Sequence, residues 1–428
     1  MDEDTIFAPA SGAGRAAIAV LRMSGPAAGA ALRALCAGRL PPPRRAALRR
    51  LRDPAGGLLD HALVLWLPGP GSYTGEDSAE LHLHGGRAVT EAVAAALVAA
   101  GARPAAPGEF TRRAFLNGRM DLVEAEAVAD LVAAETEAQR RQALRQLEGA
   151  LGDLYHGWSE RLLRLMAQEE ALIDFPDEDL PPEVAAAAAA ETVALRTEIA
   201  AHLADNRRGE RLREGLVFAV TGPPNVGKSS LVNALAERDV AIVSATPGTT
   251  RDALETRVVL GGVPITLVDT AGLREAADPV EAEGVRRALA RAEAADLVIA
   301  VAEAGAPAGG RTEAVRVANK IDLGGVVPEG VLGVSAATGA GLADLRDRLA
   351  AEAVRLTDAA GPPPLTRARH RAALIAAAEA LDRALAAPLA ELRAEDLRQA
   401  LRALGRITGE VGVEDVLDRI FSQFCIGK

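Results

Sequence analysis

Short apolar runs separated by glycine- and proline-rich turns dominate the first quarter of the chain. Ala17-Ile18-Ala19-Val20-Leu21-Arg22 and Ala62-Leu63-Val64-Leu65-Trp66-Leu67 predict strands, and Pro41-Pro42-Pro43 a loop. Glu91 to Ala100 predicts a helix stopped by Gly101 and then Pro104. From Asp121 the period becomes helical. Leu122, Val128, Leu131 and Val132 recur at turn spacing, and Asp121 with Glu124 three residues on forms a box-like cap. Charged and glutamine-rich turns follow through Leu147. A second helix runs from Leu154 to Leu172 and ends at Ile173-Asp174-Phe175-Pro176, since proline cannot continue it. Pro181-Pro182-Glu183 opens a long helix that contains the run Ala185 to Ala190, a strong helix former without chemistry of its own. Strand-like runs return at Leu216–Val220, Ile265–Val268 and Ala314–Val317. After Gly361-Pro362-Pro363-Pro364 the pattern is helical again, from Leu365 to Phe424.

The middle of this pattern carries the chemistry. Gly222-Pro223-Pro224-Asn225-Val226-Gly227-Lys228-Ser229 fits G-x-x-x-x-G-K-[ST], and it lies between a strand and a helix that begins Ser230-Leu231-Val232. Such a loop turns backbone N–H groups onto phosphate oxygens, and the helix N-terminus adds its dipole. Lys228 is placed for the β- and γ-phosphates and the Ser229 hydroxyl for Mg²⁺. Asp269-Thr270-Ala271-Gly272 follows a strand, with the Asp for the Mg²⁺ shell and the Gly N–H for the γ-phosphate. Asn319-Lys320-Ile321-Asp322 follows another; its Asp accepts two N–H bonds from guanine, and Ser335-Ala336-Ala337 completes the base pocket. Together and in this order these segments predict a GTPase.

Composition narrows the rest. A length of 428 residues suits two or three domains, and 49% hydrophobic with 25% charged residues is ordinary globular material. Met1-Asp2-Glu3-Asp4 is acidic and no long apolar span follows, so neither a signal peptide nor a membrane helix is expected, and the expected location is the cytoplasm. Two cysteines, Cys36 and Cys425, exclude a disulfide framework and a cysteine zinc site. A net charge of -11 argues against a chain-wide basic footprint. The three lysines are Lys228, Lys320 and Lys428: two sit in nucleotide motifs, the third ends the chain. His82 and His84 share a strand face without a third metal ligand at suitable spacing, which favours a structural role. Arg207, Arg208, Arg211 and Arg213 precede the GTPase strand, either as a solvated hinge or as contacts to a nucleic acid.

Several segments outside the GTPase motifs resemble one family. Thr5-Ile6 to Ser24-Gly25, Ser72 to Gly86, Pro107-Gly108-Glu109-Phe110-Thr111, Arg113-Ala114-Phe115-Leu116-Asn117, Ile173 to Pro176 and Phe424-Cys425-Ile426-Gly427-Lys428 look like the bacterial tRNA-modification GTPases MnmE, also called TrmE. The terminal Cys-Ile-Gly-Lys fits a prenylation box poorly, with Gly and Lys at its last two positions. The resemblance implies an N-terminal domain that binds a tetrahydrofolate carrying a one-carbon unit (5,10-methylene or 5-formyl) and forms a homodimer. Arg22, Glu80 and Lys428 would contact the folate. Arg119, where the family has another basic residue, would join them with altered fork geometry. Read alone, Glu80 fits a solvent-facing strand residue better. Cys425 is a candidate functional thiol.

For hydrolysis the resemblance implies K⁺ bound by Asn225 and by a switch loop, Ser244-Ala245-Thr246-Pro247-Gly248-Thr249-Thr250. Ser244, Thr246 and Thr249 would offer carbonyl oxygens to K⁺ and the Thr250 hydroxyl would bind Mg²⁺. Leu273 stands where Ras-type enzymes place a water-orienting Gln, so Glu281 would act instead, through a bridging water; its other reading is a helix cap. The remaining nucleotide contacts expected are Val226, Gly227, Ser230, Thr270 and Ala336. The stretch Ala302 to Gly310 is short for this class, and Glu303 stands where an Asp is usual. The implied activity is GTP hydrolysis coupled, with the flavoprotein MnmG (GidA), to adding a carboxymethylaminomethyl or aminomethyl group to C5 of uridine 34 in tRNA. The expected fold is multidomain α/β: an N-terminal α+β folate-binding-like domain (1–118), a discontinuous all-α domain (119–213 and 358–428), and an inserted Ras-like P-loop GTPase domain (214–357) with a mixed, mostly parallel sheet. A ribosome-assembly GTPase predicts a basic RNA-binding appendage, and a dynamin-like GTPase a membrane-binding segment. Neither is evident.

Overall fold

The computed structural model describes residues 4–12, 14–174, 182–238, 255–270, 290, 292–306, 314–358, 362–411, 414–422 and 424–427. The fold is multidomain α/β, and it separates into two compact units. One comprises Met1–Ala129, Gly152–Ser159 and Leu404–Lys428; the other Asp130–Leu151 and Glu160–Ala403.

In the first unit, β1 (Thr5–Pro9), β2 (Ile18–Ser24), β3 (Ala47–Arg52), β4 (Leu58–Leu67), β5 (Ser78–His84) and β6 (Ala102–Pro104) form one sheet in the order β3-β4-β5-β2-β1-β6. All its pairings are antiparallel except β1 with β6. Alternation decides its two faces. Leu21, Met23, Leu51, Val64, Trp66, Leu81 and Leu83 point to a core closed by α1 (Ala28–Leu35) and α2 (Arg87–Ala99). Arg22, Glu80 and His82 lie on the opposite face. There Ile6, Ala8, Ala105 and Phe110 make a smaller cluster under α3 (Glu109–Leu116), with Tyr73 packed against it.

The predicted cap at Asp121 forms as a reciprocal box. Glu124 N–H donates to Asp121 Oδ1 at 2.7 Å, Asp121 N–H to Glu124 Oε2 at 2.8 Å, and α4 (Leu122–Ala133) follows. The turns expected through Leu147 are instead a helix, α5 (Glu137–Leu147). Its polar surface hides the apolar period, but Thr136 and Gln139 form a capping box that marks its start. α6 (Ala150–Asp174) and α7 (Pro182–Leu203) match the two helices read from the sequence, the first starting four residues earlier. After α8 (Arg208–Glu214) comes the second sheet: β7 (Leu216–Thr221), then α9 (Lys228–Arg238), β8 (Glu255–Leu260), β9 (Val263–Asp269), β10 (Leu297–Glu303), β11 (Val315–Asn319) and β12 (Leu332–Gly333). Its order is β12-β11-β10-β7-β9-β8, parallel throughout except for the β8–β9 hairpin. Buried Val, Leu and Ile on both faces pack against α9 and α10 (Leu342–Thr357), as a parallel sheet covered by helices requires. The chain ends in α11 (Ala368–Ala386), α12 (Ala390–Thr408) and α13 (Glu414–Phe421).

Entry to and exit from the parallel-sheet region run side by side. Leu365 N–H donates to Asp205 Oδ2 at 3.2 Å, and Arg371 binds Asp205 at 2.7 Å and Glu210 at 2.9 Å. Ends held this close permit an insertion into a helical framework.

Candidate functional site: a phosphate loop and a cross-strand arginine–glutamate pair

The nucleotide motifs converge at the C-terminal ends of β7, β9, β10 and β11, the side on which open parallel sheets bind ligands. Gly222 leaves β7 with φ 149, and a Cβ there would meet the Val301 carbonyl at 2.1 Å, so only glycine fits the turn. Asn225, exposed at the loop tip, is left-handed at φ 63. Lys228 is buried, and its Nζ donates to the carbonyls of Gly222 (3.0 Å) and Pro223 (2.8 Å), which clamps the ammonium over the loop. The Ser229 hydroxyl donates directly to Asp269 Oδ2, so two oxygen donors suited to a hard cation stand together at the loop mouth. Thr270 is tied back through its hydroxyl to Val220 O at 2.8 Å. Val226 is buried, whereas Ser230 is exposed on the first turn of α9.

Asn319 joins the loop to the base side. Its buried amide donates to Val226 O at 2.8 Å and accepts from Ala336 N–H at 3.1 Å. Losing that side chain would unfasten both at once. Lys320 follows in the left-handed region at φ 66 and pairs with Glu303 at 3.5 Å; Asp322 is exposed in the short helical turn behind it. Ser335 is fully buried, and its hydroxyl accepts from Thr338 N–H at 3.1 Å. The residues Ser244, Ala245, Thr246, Pro247, Gly248, Thr249, Thr250, Ala271, Gly272, Glu281 and Lys428 lie outside the described residues.

On the antiparallel sheet Arg22 and Glu80 are direct cross-strand neighbours, joined at 2.9 and 3.0 Å through Nη2 and Nε. The guanidinium also lies 5.6 Å from the Tyr73 ring centre and 5.9 Å from that of Phe110, within cation–π range. Burial pushes the Tyr73 hydroxyl above its ordinary range. Arg119 is exposed; its stem lies beside Gly75 in the loop that carries Tyr73. The C-terminal tail comes to the same sheet. Phe421 and Phe424 are buried against Leu122 and Phe115, and a Cβ on Gly427 (φ 98) would meet Pro9 O at 2.0 Å, at the end of the strand that pairs with β2. Cys425 is exposed beside this contact.

Around α3 lies a feature with no sequence signal. The buried Arg113 binds Asp4 (2.7 Å), Glu109 (2.9 Å) and Glu76 (3.3 Å), and Arg103 binds Glu109 at 2.6 Å and also Asp4. Burial opposes ionisation of Glu109, but hydrogen bonds from Arg103, the Ala106 N–H and Arg113 outweigh it and hold its carboxyl below the usual range. The partners are up to 109 residues apart, so spacing could not reveal them. The two histidines have structural partners: His84 Nδ1 is 2.7 Å from Asp60 and His82 3.6 Å from Glu80. The arginines before β7 are engaged inside the fold, Arg207 with Glu210, Arg211 with Asp296, Arg213 with Asp130, and Arg208 with the Asp358 carbonyl.

A phosphate loop at the switch of a parallel sheet, with an Asn-Lys-x-Asp segment at the neighbouring strand end, defines a P-loop GTP-binding protein carrying an α+β N-terminal region. Comparison with known proteins narrows the class. Residues 5–119 match the family model described as "GTP-binding protein TrmE N-terminus", and residues 122–425 the one described as "MnmE helical domain". Proteins named "tRNA modification GTPase MnmE" align along the whole chain. That of Gluconacetobacter diazotrophicus is 61% identical over 99% of this chain and 98% of its own length. That of Granulibacter bethesdensis is 56% identical and that of Rhodospirillum rubrum 57%, each over 100% of both chains. The chain belongs to the MnmE family of tRNA modification GTPases.

Proposed function

We propose that this chain is a K⁺-stimulated, Mg²⁺-dependent GTP hydrolase that modifies C5 of wobble uridine 34 in tRNA. It does so with a flavin-dependent partner of the MnmG type, as a homodimer in the cytoplasm, drawing the carbon from a tetrahydrofolate. The product carries a carboxymethylaminomethyl or aminomethyl group. The division of labour proposed is 1–118 for folate and dimerisation, 214–357 for GTP, and 119–213 with 358–428 as the helical framework. The observation that carries the reading is one chain holding both the Lys228–Ser229–Asp269 cluster and an Arg22–Glu80 pair on the strands beside which its own C-terminus is docked.

The residues present fit each group. Lys228 neutralises phosphate charge, Ser229, Asp269 and Thr250 hold Mg²⁺, and Asp322 with Asn319 and Ser335-Ala336 selects guanine. Asn225 with Ser244, Thr246 and Thr249 would hold K⁺, which supplies positive charge to the phosphates when bound. Glu281 orients water. On the other sheet Glu80 accepts from the pterin's aminopyrimidine edge, a bidentate pairing suited to a carboxylate, while Arg22 and Tyr73 bound the pocket and Arg119 and Lys428 reach its carboxylates. Cys425 adds a thiol at its rim.

Calorimetric titration of 5-formyltetrahydrofolate into the full chain and into a chain ending at Phe424 tests the folate half. Binding that collapses without the last four residues is the expected result; no binding to either refutes the folate site. Replacing K⁺ by Na⁺ in a steady-state GTPase assay tests the other half. Equal rates in the two salts would remove K⁺ from the reading.

A further inference from the structure

Charge is unevenly spread along this acidic chain. Residues 5–52 hold nine arginines and no aspartate, glutamate or lysine, although the whole carries -11. Five of the nine, Arg44, Arg45, Arg49, Arg50 and Arg52, fall on one edge of the fold. β3 is the terminal strand of its sheet and pairs with β4 alone among the described residues. Pro43 makes an isolated parallel bridge to Trp66, and Arg44, in a turn at φ 58, donates its N–H to the Trp66 carbonyl at 2.8 Å, so Arg44 and Arg45 lie in the turn that leads into the strand. At about 3.3 Å per residue the strand's own arginines, Arg49 to Arg52, span roughly 10 Å, and the turn adds two more at its start.

None of the five makes an ion pair among the described residues. Arg49 and Arg52 donate only to main-chain carbonyls, of Leu48 and Gly56. The carboxylates adjoining the strand in sequence and in register are engaged otherwise: Asp53 accepts from Gly57 N–H at 2.7 Å, and Asp60, opposite Leu51, holds His84 at 2.7 Å. Arg211, Arg213, Arg103 and Arg113 show the opposite habit, each locked to a carboxylate within the fold. Charged side chains on an edge strand do prevent edge-to-edge pairing, but one or two suffice for that. Five guanidinium groups without counter-charge repel one another, and an anionic partner relieves this. Guanidinium is also the group whose planar fork matches phosphate oxygens bidentately.

We infer that the β3 edge, from Arg44 to Arg52, is the surface on which the phosphate backbone of a tRNA docks. The inference rests on the tRNA-modification reading and adds to it where the substrate is held. A row of phosphate contacts positions an RNA without reading its sequence, so selection of the tRNA falls to other parts of the assembly.

The test is fluorescence anisotropy of a labelled, unmodified tRNA transcript with the full-length protein over a salt series. It compares the natural chain with Arg44→Glu/Arg45→Glu/Arg50→Glu, with the same three changed to Lys, and with Arg87→Glu, an exposed arginine on α2, as control. The triple Glu variant is expected to bind at least ~10-fold more weakly at low salt. Its dependence of log K on log salt should be shallower by about 2–3, from roughly 0.7–0.9 for each phosphate contact. The Lys variant should keep most of the binding and Arg87→Glu all of it. Unchanged GTP hydrolysis and circular dichroism exclude misfolding as the cause. Natural affinity and salt slope in the triple Glu variant would overturn the surface while leaving the family reading intact. Unchanged tRNA binding together with dissociation of the oligomer in sedimentation would overturn it as well, and assign the edge to contact between copies. Failure of the natural chain to bind any tRNA at low salt would overturn the functional reading and this surface with it.

Discussion

The molecule contains two six-stranded sheets that build sites in different ways. In the parallel sheet, neighbouring strands end at one edge, so functional groups sit in the loops that follow them, and each loop is one continuous stretch of sequence. In the antiparallel sheet the site lies across strand faces. Arg22 and Glu80 are 58 positions apart, and register alone makes them neighbours. The first kind of site is carried by motifs. The second is carried by pairing, in a unit where buried Arg113 ties α3 to the chain before β1 and to the loop before β5 as support.

That difference can be broken at the support. Arg113→Met leaves Glu76 without its cation and Asp4 and Glu109 with Arg103 alone, and breaking a buried pair in this way costs at most about 3–5 kcal/mol. Thermal unfolding followed by hydrogen exchange should show the loss in β1, α3 and the Ser72–Glu76 loop, with GTP binding retained. A variant as stable as the parent would mean that the network is not what holds the sheet's second face. In the parallel sheet, Lys228→Ala should do the converse. Among the described residues its ammonium bonds loop carbonyls alone, so folding should survive while the kcat of GTP hydrolysis falls on the order of 10²–10³. Steady-state GTPase assays with a melting curve on the same sample decide this.

Acidification should separate the two units. Burial raises the Asp121 carboxyl to about 6, against 3.8 when unhindered, so the folded state binds the extra proton. Its contribution favours folding below about pH 4 and is lost as pH rises through 6, by at most about 3 kcal/mol. Burial lowers His202 to about 4 from 6.5, so its contribution is present above 6.5 and is lost as pH falls from there towards 4. Hydrogen exchange between pH 5 and 7 should therefore show α4 gaining protection on acidification while α7 loses it. Asp121→Asn should flatten the first trend and leave the second. The smallest effect on folding is expected at Glu80→Gln. A partly exposed pair contributes about 0–1 kcal/mol to stability, yet loss of the charge should weaken 5-formyltetrahydrofolate binding by roughly tenfold. An unchanged affinity would make Glu80 a strand residue and nothing more.

Much of this was legible in the residues. The strand–loop–helix around Gly222 to Ser229 appears where the motif places it, and the Asp121–Glu124 cap forms as written, because both interactions close within a few positions. Helix α5 was missed because its polar face conceals the period, though Thr136 and Gln139 announced it locally. The arginine-rich edge was present in the sequence as a run of charge. The absence of carboxylates from residues 5–52 can be read there; that the row also finds no ion-pair partner among the described residues cannot.

By itself, then, the sequence determined the nucleotide chemistry, the order of the regions and the cap at Asp121, which depend on groups close together along the chain. Tertiary structure alone decided that Arg22 would face Glu80, that Asn319 would fasten the phosphate loop to Ala336, that Gly427 would lie against Pro9, and that Arg113 would gather three acids. Those contacts depend on strand register and on burial in a low-dielectric interior, which are properties of the whole packed chain and of no segment within it.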